Sequence, residues 1–163
     1  MRILVTILVC GLMLCSSKAL EKPNILFVLF DDMGYGEPTS YRSTSLFKTP
    51  NIDRLAREGM RFTDAHSSAA SCTPTRYGFL TGRYPHRIGQ FGVLSTFSPP
   101  LIPDTRLTIA SYLKKNGYTT ACIGKWHLGM SWDRPKVKGK NKTKEKLKIG
   151  EKMTGGPNAI GFE

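Results

Sequence analysis

Cysteine is scarce in this chain: there are four among 163 residues, and two of them, Cys10 and Cys15, lie close to the N-terminus. The other pair, Cys72 and Cys122, is too few for a disulfide-stapled scaffold, which excludes that class. Acidic residues are also few, 12 against 24 basic ones. Aromatic residues are missing from the most basic stretch, Arg134–Lys152, whose nine basic and two acidic residues carry +7 of the formal +12. Arg2 and Lys18 account for two more charges, which leaves only +3 for everything else. A local excess with nothing to stack bases does not describe a nucleic-acid binder. It describes a solvated loop or insertion, or alternatively a contact for an acidic polymer such as a sulfated glycan. Long apolar runs are absent beyond the N-terminus, so no stable membrane insertion is expected. No internal repeat is present, and 40% hydrophobic with 22% charged residues excludes collagen-like, coiled-coil and disordered classes.

What is present begins with a leader pattern. Arg2 gives a short positive start, Ile3–Cys15 is an uncharged, mostly apolar run of 13 residues, and Ser17 and Ala19 are small. This layout predicts a cleaved secretory signal over residues 1–19, with a buried N-terminal helix as the alternative. Neither Cys10 nor Cys15 follows a small residue, which disfavours a lipid anchor. The expected location is secreted, periplasmic, or lysosomal/extracellular. Asn141-Lys142-Thr143 is a glycosylation sequon where the pathway is eukaryotic. By length, residues 20–163 make one domain at most. Cys72 and Cys122 either pair as one disulfide, or Cys72 is kept for chemistry and Cys122 is an apolar strand residue.

Along the chain, strand and helix patterns alternate. Asn24–Phe30 is a seven-residue apolar run suited to a strand buried on both faces. It runs into Asp31-Asp32-Met33-Gly34, which sets two carboxylates at a strand's C-terminal end, where open α/β sheets bind ligands. Thr49-Pro50 opens a helix with an Ile52, Leu55, Ala56 stripe, closed by Gly59. Met60–His66 reads as a short strand. A second helix starts near Cys72 and ends at Gly82. A third is capped by Thr108, presents Ile109, Tyr112 and Leu113, and stops at Gly117. Tyr118–Ile123 reads as another strand, leading into Gly124-Lys125-Trp126-His127-Leu128-Gly129. Residues 90–103 read as a surface loop, and nothing regular is legible after Ser131. The alternation predicts the α/β class with a mainly parallel sheet.

Three clusters carry chemistry-bearing side chains. In Cys72-Thr73-Pro74-Thr75-Arg76, a helix starting at Cys72 sets Arg76 one turn on, along the same face. A guanidinium and a helix N-terminus would then surround whatever Cys72 holds, which describes an anion site with a reactive atom in it. Asp31-Asp32 is either a solvated turn or a pair of hard oxygen ligands. In Lys125-Trp126-His127, Trp126 would anchor the segment in the core; if the segment is extended, Lys125 and His127 share a side. Arg83 and Asp64 are weaker candidates for supporting the site. His66 and His86 read as ordinary surface or packing histidines.

Taken together, the three clusters resemble one family. Cys72-x-Pro74-x-Arg76 with Leu80-Thr81-Gly82 is similar to the sulfatase signature in which the cysteine is oxidised to formylglycine. Lys125-Trp126-His127-Leu128-Gly129 resembles the second sulfatase signature, and Asp31-Asp32 the family's first metal-binding pair. The resemblance runs from about Pro23 to Trp132. It implies an alkaline-phosphatase-like α/β sandwich around a mainly parallel sheet, of which residues 20–163 would be the N-terminal part. It implies a sulfuric ester hydrolase acting on aryl or carbohydrate sulfate esters, and a formylglycine-generating enzyme as partner.

The resemblance also implies roles. Cys72, as formylglycine, would hydrate to a geminal diol; one hydroxyl attacks sulfur and expels the alcohol, and the other loses its proton and ejects sulfate. Asp31 and Asp32, with the modified Cys72, would hold a divalent cation, Ca²⁺ by its preference for hard oxygen donors. Arg76 would stabilise the diol, Lys125 would bind the sulfate, and His127 would hydrogen-bond the diol. The family's second pair of metal ligands, and a further His and Lys, cannot be assigned here, so the segment alone is expected to be inactive. The alternatives are a phosphonate or phosphate ester hydrolase of the same superfamily, and an inactive, truncated carbohydrate-binding relative.

Overall fold

A computed structural model describes residues 22–95, 98–132 and 153–163. The expected signal segment, the basic run Arg134–Lys152 and its sequon lie outside the described residues. The chain forms two compact units, one ending at Tyr35 and one running from Gly36 to Glu163.

In the first unit, Asn24–Phe30 adopts no regular secondary structure. Its apolar side chains are open, from 39% exposed at Leu29 to 89% at Leu26. This corrects the expectation of a strand buried on both faces. Such burial needs a strand ladder on each edge and helices above and below, and no strand forms over this run.

Among its described residues the second unit contains three α-helices where the sequence punctuates them. Helix α1 spans Pro50–Glu58, with Thr49 as N-cap and Gly59 as C-cap. The Thr49 side chain does not cap the helix; it accepts from Thr39 N at 3.0 Å and faces Asp53 Oδ1 at 3.2 Å. Asp53 also takes hydrogen bonds from the Thr39 hydroxyl and from Ser40 N, the latter at 2.8 Å. Asp53 thereby fastens the preceding loop to the helix. None of α1 is buried, and Leu55 of the expected stripe is exposed.

Helix α2 spans Cys72–Thr81 and ends at Gly82 in the left-handed region, φ 64°. Helix α3 spans Ile109–Lys115. Thr108 and Ser111 close a reciprocal capping box at its start, with Ser111 N donating to Thr108 Oγ1 at 3.1 Å and Thr108 N to Ser111 Oγ at 2.9 Å. The buried residue of α3 is Ala110, whereas Ile109 and Tyr112 of the expected face are exposed.

Among the described residues the only paired strands are β1 (Ser131–Trp132) and β2 (Met153–Thr154), antiparallel, with Ser131 opposite Thr154. The expected strands at 60–66 and 118–123 have no ladder there. The mainly parallel sheet is thus not formed by the described residues.

The core gathers around α2. Tyr77 and Leu80 from α2 meet Ile102, Trp126, Leu128 and Ile160, and Phe79, Leu101, Met130 and Phe162 pack at its margin. Ile102 corrects the surface-loop reading at its own position, being 3% exposed. Trp126 meets Phe162 edge to face, with ring centres 6.4 Å apart. The C-terminal residues are tied in by side chains: Thr108 Oγ1 donates to Ile160 O at 2.6 Å, and Thr120 Oγ1 donates to Gly161 O at 2.5 Å. Gly161 is obligatory there. Its φ is 113°, and a Cβ would stand 2.4 Å from Ser111 N.

Candidate active site

Cys72 is the first residue of α2, and Pro74 tolerates the first turn because it needs no hydrogen-bond partner for its nitrogen. Thr73, Pro74, Tyr77, Gly78 and Leu80 turn one side of α2 into the core, leaving Cys72 and Arg76 half-buried. Gly78 permits this seating, since a Cβ there would stand 2.0 Å from Ser68 Oγ.

The segment Lys125–Gly129 alternates in burial. Trp126 and Leu128 are 9% and 1% exposed, while Lys125 is open and His127 half-buried. Trp126 Nε1 donates to Gly129 O at 2.9 Å, which satisfies its one polar atom. Leu101 N donates to Leu128 O at 2.9 Å and Met130 N to Ser98 O at 3.0 Å, stitching the segment to the 98–101 loop. A Cβ on Gly129 would meet Pro99 O at 2.0 Å. The segment is not a plain strand, because His127 sits in the left-handed region at φ 54°. The i, i+2 argument for Lys125 and His127 therefore does not apply as such.

Two long-range contacts join α2 to this segment. Lys125 Nζ donates to Cys72 Sγ at 3.3 Å, and an Arg76 guanidinium nitrogen donates to Lys125 O. A thiol, an ammonium and a guanidinium thus share one helix start, an arrangement suited to receiving an anionic ligand. A third link runs through Thr73, which is fully buried. Its hydroxyl donates to His127 O at 2.8 Å and accepts from Leu94 N at 3.2 Å. His127 Nε2 meets Leu94 O at 2.9 Å, and His127 Nδ1 is buried without a hydrogen-bond partner. Sequence reasoning passed over Thr73 and Leu94. Thr73 could have been flagged as the polar residue next to Cys72; a backbone carbonyl such as Leu94's leaves no signal.

Neither Cys72 nor Cys122 is in a disulfide. Cys122 is exposed and in no strand, which corrects its reading as an apolar strand residue. Surrounding protein atoms push its thiol pKa up, against the pull of the Arg76 guanidinium. His66 pairs with Asp64 at 2.8 Å on the open surface.

Asp31 and Asp32 belong to the first unit and are exposed. Asp32 has φ 63°, a left-handed conformation that Asp tolerates better than most residues. They are the right donors for a hard cation, but Ca²⁺ takes six to eight oxygens. Among the described residues no group of three or more His, Cys, Asp or Glu gathers. These residues alone do not make a complete Ca²⁺ site.

The chain has relatives among known proteins. The sulfatase family profile matches residues 23–157, and the chain belongs to the sulfatase family. It is 47% identical over 121 residues to human steryl-sulfatase, covering 71% of this chain and 21% of that protein. It is 44% identical over 110 residues to an N-acetylgalactosamine-6-O-sulfatase of Bacteroides thetaiotaomicron, covering 68% and 21%. A solved structure from work on glycosaminoglycan metabolism by Bacteroides thetaiotaomicron superposes with a TM-score of 0.70 at 35% identity, over 88% of this chain and 27% of that one. The chain spans about a fifth of the length of the curated relatives it matches.

Proposed function

We propose that residues 20–163 are the nucleophile-bearing N-terminal part of a secreted or lumenal sulfuric ester hydrolase of alkaline-phosphatase-like architecture, preceded by a signal over residues 1–19. The observation that carries this is the contact of the Lys125 ammonium with Cys72 Sγ at the start of α2, with Arg76 on the same helix face. Cys72, oxidised to formylglycine by a modifying enzyme that uses dioxygen as oxidant and removes the sulfur, would supply two hydroxyls on hydration. One forms a bond to the ester sulfur as the sulfur–alcohol bond breaks. The other gives up its proton and expels sulfate, restoring the aldehyde. A cysteine or serine has no second hydroxyl for that last step.

Lys125 stabilises the negative charge spread over the sulfate oxygens, and Arg76 holds the hydrated side chain while fixing the Lys125 carbonyl. His127 takes part in moving the hydroxyl protons. Asp31 and Asp32 supply two ligands of a divalent cation whose coordination requires further residues. Ca²⁺ suits their donor type, and the bound cation would polarise the sulfate. The substrate class is an aryl or carbohydrate sulfate ester; relatives named for galactosamine sulfate and glycosaminoglycan metabolism support a sulfated glycan.

The test is mass spectrometry of the peptide containing Cys72 after expression in a host with the modifying enzyme. The expected product is the aldehyde or its hydrate. Unmodified cysteine alone, or a Cys72–Cys122 disulfide, would overturn the proposal.

A further inference from the structure

Three residues from three separate segments close a ring of hydrogen bonds beside the nucleophile. The Thr73 hydroxyl donates to His127 O, His127 Nε2 bonds Leu94 O, and Leu94 N donates back to the Thr73 hydroxyl, at 2.8, 2.9 and 3.2 Å. Each residue donates once and accepts once. The direction around the ring is forced. A carbonyl oxygen can only accept, so Nε2 of His127 must carry the hydrogen it shares with Leu94 O. In the neutral ring, Nδ1 is then the bare lone pair. That is the atom buried without a partner.

We infer that Thr73 is a positioning residue which, through the backbone of Leu94, fixes His127 as its Nε2–H tautomer, so that any proton His127 takes up is received at Nδ1. The inference rests on the sulfatase reading only for its catalytic consequence. Thr73 is well placed for the task. It is 0% exposed, follows Cys72 directly, and sits in the first turn of α2, so the ring ties histidine placement to nucleophile placement. The ring also holds His127 at φ 54°, a conformation a non-glycine residue adopts rarely and keeps only when its surroundings determine it. Removing the hydroxyl leaves the Leu94 N–H and the His127 carbonyl without their shared partner. The Leu94 carbonyl is then free to move, and with it the constraint on the ring.

The chain has three histidines, which makes the test direct. In the full chain with ¹⁵N-labelled histidine, long-range ¹H–¹⁵N correlation distinguishes the two neutral tautomers. His127 is expected as Nε2–H in the wild type and in Thr73→Ser, and as a tautomer mixture in Thr73→Val. His66 and His86 should keep their signals in all three and so report an intact fold. A wild-type His127 in the Nδ1–H form or in a mixture overturns the inference, as does a Thr73→Val spectrum identical to wild type. The Thr73→Ser variant carries the test independently, and tautomer averaging there overturns it as well. In the active enzyme, Thr73→Val should lower kcat about 10²-fold with KM unchanged, with Thr73→Ser restoring it. A raised KM at unchanged kcat would count against the role. Because the tautomer is read without turnover, a fixed Nε2–H form together with unmodified Cys72 would sink the sulfatase reading and leave this one standing.

Discussion

The ammonium of Lys125 lies 3.3 Å from the sulfur of Cys72, although the two residues are 53 positions apart in the sequence. The distance is set by core packing: Trp126 and Leu128 are driven inward on either side of His127, and α2 is seated on the same core through Tyr77 and Leu80. Arg76 closes the arrangement from the helix side by bonding the Lys125 carbonyl.

If these cations act on developing negative charge, Lys125→Ala and Arg76→Ala should each lower turnover of an aryl sulfate by about 10²–10³-fold in the active enzyme. Steady-state kinetics on folded variants is the measurement. Near wild-type turnover in either variant would mean the residue has a structural part only.

The segment by itself should bind Ca²⁺ weakly and release no sulfate. Asp31 and Asp32 cannot complete a shell of six to eight oxygens, and among the described residues no cluster of three potential ligands adds to them. Calorimetry on residues 20–163 with Ca²⁺, followed by a sulfate-release assay, decides this. Tight binding accompanied by turnover would show that the ligand set is already complete.

Asp53 should make folding acid-sensitive. The Thr39 hydroxyl holds its carboxyl below the ordinary value of 3.8, against the opposing effect of burial, and Ser40 and Thr49 add to the lowering. A group depressed in the folded state contributes its stability above the unfolded value and loses it as pH falls through the folded one. The Asp53 contribution is therefore present at neutrality and lost below 3.8. Urea unfolding of wild type and Asp53→Asn, near neutrality and at about pH 2–3, should show the two converging in acid. A gap independent of pH would contradict this.

Two glycine substitutions separate steric fit from backbone strain. Gly161→Ala drives a methyl to 2.4 Å from Ser111 N, and should cost about 3 kcal/mol. Gly82→Ala, at φ 64° with no atom within 4 Å of the new methyl, should cost only the left-handed strain, about 1–2 kcal/mol. Thermal unfolding of both variants tests the ranking, and a larger loss at Gly82 would reverse it.

Helices were legible in the sequence because their signals are local. Thr49-Pro50 and Gly59 bracket α1, Gly82 ends α2, and Thr108 opens α3 at the residues expected. Strands were not, because a strand exists by pairing and its partners are remote. Asn24–Phe30 and Tyr118–Ile123 have strand composition without a ladder. The buried face of α3 was misjudged for a related reason. Periodicity selects bulky Ile109 and Tyr112, but Gly161 approaches the α3 backbone so closely that small Ala110 is what fits inside. At the site, helix geometry alone placed Arg76 one turn from Cys72. The meeting of Cys72 with Lys125 came only through the family resemblance, since no local rule spans 53 residues.

The alternation of core and site residues along Lys125–Gly129 has a consequence for how this protein can vary. Trp126, flanked by Lys125 and His127, leans on Phe162 near the far end of the chain. A substitution at Phe162 leaves Cys72, Lys125 and His127 themselves unchanged, yet it alters the ring contact on which Trp126 rests and so the seating of both polar neighbours. Drift in the hydrophobic interior should therefore surface as altered rates before it surfaces as unfolding. Genetic screens for lost activity in such a protein should recover interior positions alongside the chemical ones.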